Sequence, residues 1–553
     1  LLRAKPVVKV RAIVYGKYID EVIKAIGRLG VAHLVDLRDK LDKLTGLLEA
    51  VQPTEELFKC SNIISRINRL AEELGISLNV RKKITRVMSL EEIEEELSRI
   101  EKKVEEVSSM IRRLEEERST LEVSDESREP VELIEKLKLR ELSKEIEDKL
   151  SNLLSIVQVY KKIEEVKQML AKTSSTYFIE MWVPKEDVKI ITNAINEASK
   201  NLAVISIEYN MSHESVPAVF KIPSFLEPFT KLVNSYGLPS AHEINPTLLT
   251  AITFPIIFGI MFADIGHAAT LALVGVIATI VKRRMRKKEI ELTGIVGMVL
   301  VAGELLILCG LCGVFWGVLF GEIFGTHEFM GIHLHPIELI RIGKEVKIGG
   351  FTPSEDVMTM FHFVLFIGVC HIMLGLILSL VNKIINKEYK EVIPMIFWIW
   401  LYDGAAYAFF TYGSSVVFRF DFWLHNPHLL FLPLGLMAVS EAIIRGTEGI
   451  THVFMSLIES LSHTVSYGRL LALNLIHANM SKMFLQMTYG GGVALQAVGI
   501  IIGTLLALVL EGLIIFVHTL RLHWVEWFSK FYIGGGIEYK PLRIEIEGIA
   551  VGR

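Results

Sequence analysis

Two apolar stretches near the end of the chain, residues 449–488 and 492–531, carry ionisable side chains where a lipid-embedded helix ordinarily has none. Counted at about 100° per residue on one continuous helix, Glu459, His463, Asn474, His477 and Ser481 fall within an arc roughly 60° wide, with Arg469 about 80° to the side. On the second stretch Glu511, His518 and Arg521 share an arc of about 80°, with His523 and Glu526 nearer its end. A charge at mid-membrane costs at least about 2.5–3.5 kcal/mol, so such groups are functional candidates by default. Carboxylates and imidazoles exchange protons at accessible pH, and Asn and Ser help them hold water. Arginine keeps its proton, so Arg469 can only attract an anion or repel a cation. A fixed cation beside a proton-relaying stripe suits ion translocation: it makes a passing carboxylate give up its proton and blocks direct leakage. The structural alternative pairs Arg469 with Glu459 or Glu511 to pin helices, leaves the histidines to cap or pack, and lets Arg521 snorkel to the interface. Asp264, Glu304, Asp403 and Glu441 read as structural, hinge or vestibule groups.

The elements that must hold these residues follow from composition. With 553 residues, 51% of them hydrophobic, and a mean hydropathy of +0.42, the chain is too apolar for an ordinary soluble enzyme. The net charge of -4 hides a division, because acids and bases crowd before about residue 245. Beyond it, apolar runs lie near 247–281, 292–324, 357–385, 392–412, 427–444, 449–488 and 492–531. The basic cluster Lys282 to Lys288 places the end of the first run in the cytosol by the positive-inside rule. One crossing cannot return there, so the run is split at Asp264–His267 into two short spans. Lys383 to Lys390 and Arg445 then fall inside, giving eight spans with both termini cytosolic. The last two runs are each about 40 residues, roughly 60 Å as helix against a hydrocarbon core of about 30 Å, so they must tilt or protrude. Gly313, Gly317, Gly321 and Gly325 recur every four residues, which suits close helix packing in lipid. Cys60, Cys309, Cys312 and Cys370 give no disulfide framework, and the C-x-x-C of Cys309 and Cys312 lies within an apolar run. Neither a metal nor a cofactor is expected. No G-x-x-x-x-G-K-[ST] phosphate loop is present, which excludes nucleotide binding by that route. No cleavable signal peptide opens the sequence, so the soluble half is expected in the cytosol.

In that half, residues 6–15 and 31–37 read as strands around a helix at 17–30, and 176–209 repeat the order. The reading is two small α+β lobes, about 1–85 and 172–245, joined by a helical hairpin over about 86–171. Its seams run through Leu90, Ile93, Leu97, Ile100, Val104, Val107, Ile111, Leu114 and Leu121, and then through Leu139, Leu142, Ile146, Leu150, Leu153, Val157, Tyr160, Ile163, Val166 and Leu170. A polar break at 124–130 separates them. The fold class is therefore mainly α: a cytosolic two-lobed α+β domain (1–245) with an antiparallel coiled coil, then a polytopic helical membrane domain (246–553).

Three segments carry a resemblance. Ser466 to Ser481, with Arg469, Asn474 and His477, resembles the S-Y-x-R-L-x-A-L-x-L-A-H-x-x-S signature of the a (or I) subunit of V-type and archaeal A-type rotary ATPases. Glu511 through His518, Arg521, His523 and Glu526 to Tyr532 resembles that family's closing helix, and Pro255 to His267 its first membrane motif. The resemblance implies a stator membrane subunit that binds no nucleotide itself and forms two ion half-channels against a rotating proteolipid (c/K) ring. It couples proton or sodium flow to ATP synthesis or hydrolysis in a soluble A/B head. Peripheral stalk E/G-type subunits, a central-stalk cap subunit (d/C-type) and the bilayer are the implied partners, with no nucleic acid. Arg469 matches the essential arginine and Arg521 the second one, while Glu511, His518 and His477 match polar positions. Some members carry an acid fourteen residues before the arginine, where this chain has Met455, which bears on Glu459 as an outer-channel group. Gly468, Leu471 and the short exterior loops favour an archaeal-type member in the cell membrane. The rival readings are a self-contained secondary transporter, which would show an inverted repeat, and a purely structural tether.

Overall fold

Alternation of apolar residues in Val7–Tyr15 (β1) buries Val8, Val10, Ala12 and Val14 on one face. In the computed structural model, which describes residues 3–38, 49–76, 78, 88–120, 128–209, 216–287, 294–329, 332–342, 346–487 and 492–544, this strand is central to an antiparallel sheet. The chain divides into two compact units: residues 6–217 with 539–553, and residues 1–5 with 218–538.

In the first unit the helix Ile19–Leu29 (α1) follows β1, and short strands His33–Leu34 (β2) and Glu49–Ala50 (β3) precede the helix Glu55–Leu74 (α2). Two long helices, Leu90–Thr120 (α3) and Arg128–Gln168 (α4), come next; their side chains between 110 and 145 lie outside the described residues, as do those of Val107 and Leu121. Strands Ala171–Lys172 (β4) and Thr176–Pro184 (β5), the helix Val188–Ala198 (α5) and Val204–Glu208 (β6) complete the unit. The sheet order is β3-β4-β5-β1-β6, with β2 also on β5. The two segments read above as separate lobes thus share one sheet, with Val10 opposite Met181 and Ala12 opposite Ile179. Complementary exposed edges explain the merger: either segment alone would leave a row of unpaired backbone groups. Lys9 of β1 and Glu180 of β5, diagonal neighbours across the pair, form a buried ion pair at 2.9 Å, and Arg11, directly opposite Glu180, adds a contact at 3.0 Å.

The seam positions that are described, Ile93, Leu97, Ile100 and Val104 on α3 and Ile146, Leu150, Leu153, Val157, Ile163 and Val166 on α4, belong to one core with the sheet. Ile63, Ile67 and Leu70 of α2 enter the same core. Thr54 caps α2 by accepting from the Leu57 N–H, and its hydroxyl donates to Glu164 of α4 at 2.6 Å. Residues 539–544 also belong here. Tyr539 donates to the carbonyls of Val31 and Trp182, Leu542 N–H to Ala32, and Ile544 N–H to Gly27, whose lack of a Cβ admits the Ile544 side chain.

The second unit starts with Glu227–Tyr236 (α6), Thr247–Met261 (α7), Ile265–Lys287 (α8), Gly294–Val301 (α9) and Gly303–Phe320 (α10). Short β hairpins over 328–349 lead to Val357–Ile385 (α11) and Tyr389–Tyr412 (α12). Then come Ser414–Val417 (α13), Phe420–His425 (α14), Phe431–Arg445 (α15), Thr447–Ser466 (α16), Gly468–Met487 (α17) and a closing helix over 492–531. Among the described residues, five helices are long and apolar enough to cross a membrane: α8, α10, α11, α12 and Ala497–Phe531, with α7 apolar but shorter.

Glycine sets the closest packing. A Cβ on Gly310 would lie 2.6 Å from the backbone N of Ala272, and one on Gly317 would lie 2.7 Å from that of Ile265, so α8 and α10 touch backbone to backbone. Two members of the four-residue repeat do something else: Gly321 and Gly325 adopt φ of 69° and 73° and end α10 and its following turn. Gly310→Val is expected to destabilise this helix pair by about 1–3 kcal/mol, read as earlier thermal unfolding in detergent. Lys282, counted above in the basic cluster, is buried against Glu304 at 2.7 Å.

Candidate functional site

The first correction concerns the long penultimate run, which is two helices rather than one. α16 stops at Ser466 and α17 begins at Gly468, with Tyr467 between them fully buried. Its hydroxyl shares a hydrogen bond with His371 Nδ1 of α11 at 2.7 Å, and Gly368 leaves its ring room, since a Cβ there would lie 2.6 Å from Tyr467 Cγ. His371 in turn stacks on Trp527 of the closing helix at 4.6 Å. An aromatic anchor at this turn therefore links α11, the closing helix and the α16–α17 junction. Tyr467→Phe keeps the ring but leaves buried His371 Nδ1 without its partner, so a loss of about 1–3 kcal/mol in unfolding free energy is expected.

Arg469 leaves the first turn after that anchor. Its Nη1 lies 3.1 Å from Glu526 Oε1 and its Nη2 lies 3.4 Å from Ser466 Oγ. The contact is single-point: a quarter of the arginine side chain stays exposed, while Glu526 is 2% exposed and its Oε2 has no partner among the described residues. The pairing expected as the structural alternative, with Glu459 or Glu511, is not the one formed.

On the two sides of Tyr467 the ionisable residues of α16 and α17 take different partners. Asn474, His477 and Ser481 of α17 point to one polar group. Asn474 Nδ2 donates to the Ile260 carbonyl at 2.9 Å, so it ties α17 to α7. His477 Nδ1 bonds the carboxylate of Glu511, both residues being buried, and Ser481 Oγ donates to the His477 carbonyl at 2.9 Å. Beside them lies the gap between α7 and α8. Asp264 Oδ1 accepts from the His267 N–H at 2.9 Å and Oδ2 accepts from Gly325 N–H at 2.7 Å, while the ring Nδ1 of His267 stands 3.2 Å from Oδ1. The His267 and His477 rings are 5.3 Å apart, and Glu322 is buried with its carbonyl accepting from Ile265. Asp264, read as structural from the sequence, is thus both a helix cap and part of this group.

Glu459 and His463 of α16 belong to a second group. Glu459 is 3.3 Å from Lys530 and 3.8 Å from His463. A cavity of about 560 Å³ opens beside it, lined by Lys383, Glu391, Glu441, Arg445, Glu459 and Lys530 among others. Arg445 lies 3.4 Å from Glu441 and His452 3.5 Å from it. Asp403, by contrast, is exposed and outside both groups.

The closing helix departs from a uniform 100° step at two π turns, Ala507–Glu511 and Leu522–Phe528, each containing buried acids or histidine: Glu511, His523 and Glu526. His523 is held by Thr253 Oγ1 at 2.9 Å. His518 is half-buried and Arg521 exposed, on a side that also exposes Leu510, Ile514 and Val517. Sequence reasoning missed Glu322, His371, Tyr467 and Lys530. A signal existed for His371 and Lys530, which are ionisable groups in or at the end of apolar runs, but the pairing partners lie 96 and 71 residues away in sequence.

The sequence is similar to those of known proteins over most of its length. The model of the V-type ATPase 116kDa subunit family matches residues 79–330 and 440–544. The A-type ATP synthase subunit I of Methanocaldococcus jannaschii is 27% identical over 448 residues, covering 75% of this chain and 61% of that protein. Its counterpart in Thermococcus kodakarensis is 28% identical over 392 residues, covering 68% and 56%. The vacuolar proton translocating ATPase 100 kDa subunit of Dictyostelium discoideum is 25% identical over 470 residues, covering 65% and 57%. The chain spans about three-fifths of the length of these relatives. With both stretches of the family model matched, including those that hold Asp264, Arg469, Glu511 and Glu526, the chain belongs to the V-type ATPase 116 kDa subunit family.

Proposed function

We propose that the chain is the membrane stator subunit of an A/V-type rotary ATPase, providing two ion half-channels against a proteolipid ring and coupling proton or sodium flow to ATP turnover elsewhere in the complex. The observation that carries this reading is the place of Arg469 between two polar groups. His477 lies eight residues after it, about 12 Å along α17, and Glu459 lies ten residues before it, on α16 beyond the turn at Tyr467. Each group is a partial aqueous path that stops short of the other, and the fixed cation stands where they would meet. An ion enters through one group, neutralises a ring carboxylate that turns through lipid, and is released into the other group when the fixed charge of Arg469 favours the ionised form of the returning carboxyl. Glu526 acts as the resting counter-ion of Arg469, and its single-point contact leaves the outer side of the guanidinium for the rotor. The exposed row of Leu510, Ile514 and Val517 beside Arg521 supplies the apolar surface a ring of helices slides against.

Lys383, Arg445 and Lys530 around the 560 Å³ cavity support a cytosolic side for that group under the positive-inside rule. Glu459 therefore serves the inner path, and the Asp264, His267, His477 and Glu511 group serves the outer one. The eight-span topology with cytosolic termini predicts that Met285→Cys reacts with an impermeant maleimide only from the cytosolic face; labelling from the outer face alone would overturn it. The soluble unit, with its long α3 and α4, is the coiled-coil arm that engages E/G-type peripheral stalks, and a d/C-type subunit and the A/B head complete the assembly. A self-contained transporter would move ions as an isolated chain in liposomes. The stator reading predicts no flux without ring subunits, with co-purification of ring and stalk from native membranes.

A further inference from the structure

Asp264, His267 and His477 each offer a ligand atom such that all three lie within 4.8 Å of one another, and all three residues are buried. His477 Nε2 has no hydrogen-bond partner among the described residues, and His267 Nδ1 meets Asp264 Oδ1 at 3.2 Å without hydrogen-bond geometry, although each histidine is at most 2% exposed. A buried imidazole nitrogen without a partner is costly, and a polar ligand shared with the His267–Asp264 pair would remove that cost. The other donors are already fixed. Glu511 holds His477 Nδ1, so the free atom of that ring is Nε2 and its tautomer is set, the carboxylate–histidine support that metal ligands commonly have. Gly325 N–H holds Asp264 Oδ2, which leaves Oδ1 facing His267 at 3.2 Å. Two ligands bound at 2.0–2.1 Å around a tetrahedral ion stand about 3.3 Å apart, so this pair is already spaced for one.

The geometry points to a zinc-class divalent metal site formed by His267, His477 and Asp264, with water in the fourth position. Two imidazoles and one carboxylate suit zinc and disfavour magnesium or calcium, which take oxygen ligands. The site draws on residues from α8, α17 and the gap before α8, and a bound ion would tie these elements together. If the outer-path assignment above holds, on which this one consequence rests, an occupied site closes that path, and zinc applied from outside inhibits translocation reversibly.

Binding itself is tested on the full-length protein in detergent, with zinc as the probe and no dependence on rotor or activity. One equivalent of zinc is expected to remain per chain after desalting, with an X-ray absorption edge that fits nitrogen and oxygen neighbours at about 2.0–2.1 Å and no sulfur. His267→Ala leaves the Asp264 contacts to the His267 and Gly325 backbones in place, so the fold is retained. It is expected to weaken zinc binding at least tenfold and to abolish the zinc-induced rise in Tm, whereas His425→Ala on the exposed α14 changes neither. Sulfur ligation by Cys309 or Cys312, equal zinc affinity in wild type and His267→Ala, or no retained zinc would each overturn the site. Translocation that proceeds through other residues would undo the outer-path reading and leave this result untouched.

Discussion

Replacing Arg469 with Ala is expected to lower ATP-coupled ion translocation by about a hundredfold or more, ~2.7 kcal/mol of barrier, while ring, stalk and soluble head still assemble around the chain. The argument is electrostatic. Arg469 is the one always-charged group in the first turn after the Tyr467 anchor, and only part of its guanidinium is engaged by Glu526. Ala leaves a ring carboxyl nothing to force its ionisation at the point between the two polar groups. Ala also leaves Glu526 buried, where it takes up a proton. Arg469→Lys keeps a cation, but a compact one that loses its charge readily when desolvated, so partial coupling with steeper dependence on pH is expected. Native electrophoresis of the complex, paired with ATP-driven quenching of a pH dye in membrane vesicles, separates lost function from lost assembly.

His477→Ala has the other large effect. Glu511 would then be left as a buried carboxylate without its imidazole, and breaking a buried pair in this one-sided way costs about 3–5 kcal/mol. Glu511→Gln is expected to cost less, because an amide can still accept from or donate to the ring, although its proton-carrying capacity is gone. Thermal unfolding in detergent should therefore rank wild type, Glu511→Gln and His477→Ala in falling order, while both variants fall to background in translocation. A His477→Ala protein as stable as wild type would show that the pair contributes nothing to holding α17 against the closing helix.

Much of the outline was legible because local signals fix it. The interruption at Asp264 showed in the apolar run, and α7 and α8 part at 262–264. The ionisable positions of the last two runs stand out in any hydrophobic segment, and Arg469 and Glu511 keep buried or half-buried partners. What was not legible depends on the third dimension. A constant 100° step merges Glu459 with His477, yet the turn at Tyr467 sends them to different groups, and nothing in Ser466-Tyr467-Gly468 taken alone announces that Gly368 and His371 will receive the ring. The π turns at Glu511 and around Glu526 shift phase for the same reason: packing, not propensity, selects them. Asp264 reads as a structural or hinge group in the sequence, whereas its spatial neighbours Gly325 and His477 arrive from 61 and 213 positions away. The sheet shows the same limit. Strands β1 and β5 look like parts of two lobes until their registers are paired.

The most direct test is an image of the chain assembled with its rotor, sharp enough to place the guanidinium of residue 469. The account predicts that at least one ring carboxylate approaches Arg469 within about 4–6 Å, with Glu526 on the opposite side and the Glu459 and His477 groups opening toward different membrane faces. An Arg469 closed on Glu526 behind other helices, with no rotor carboxylate within reach in any rotational state, would contradict it.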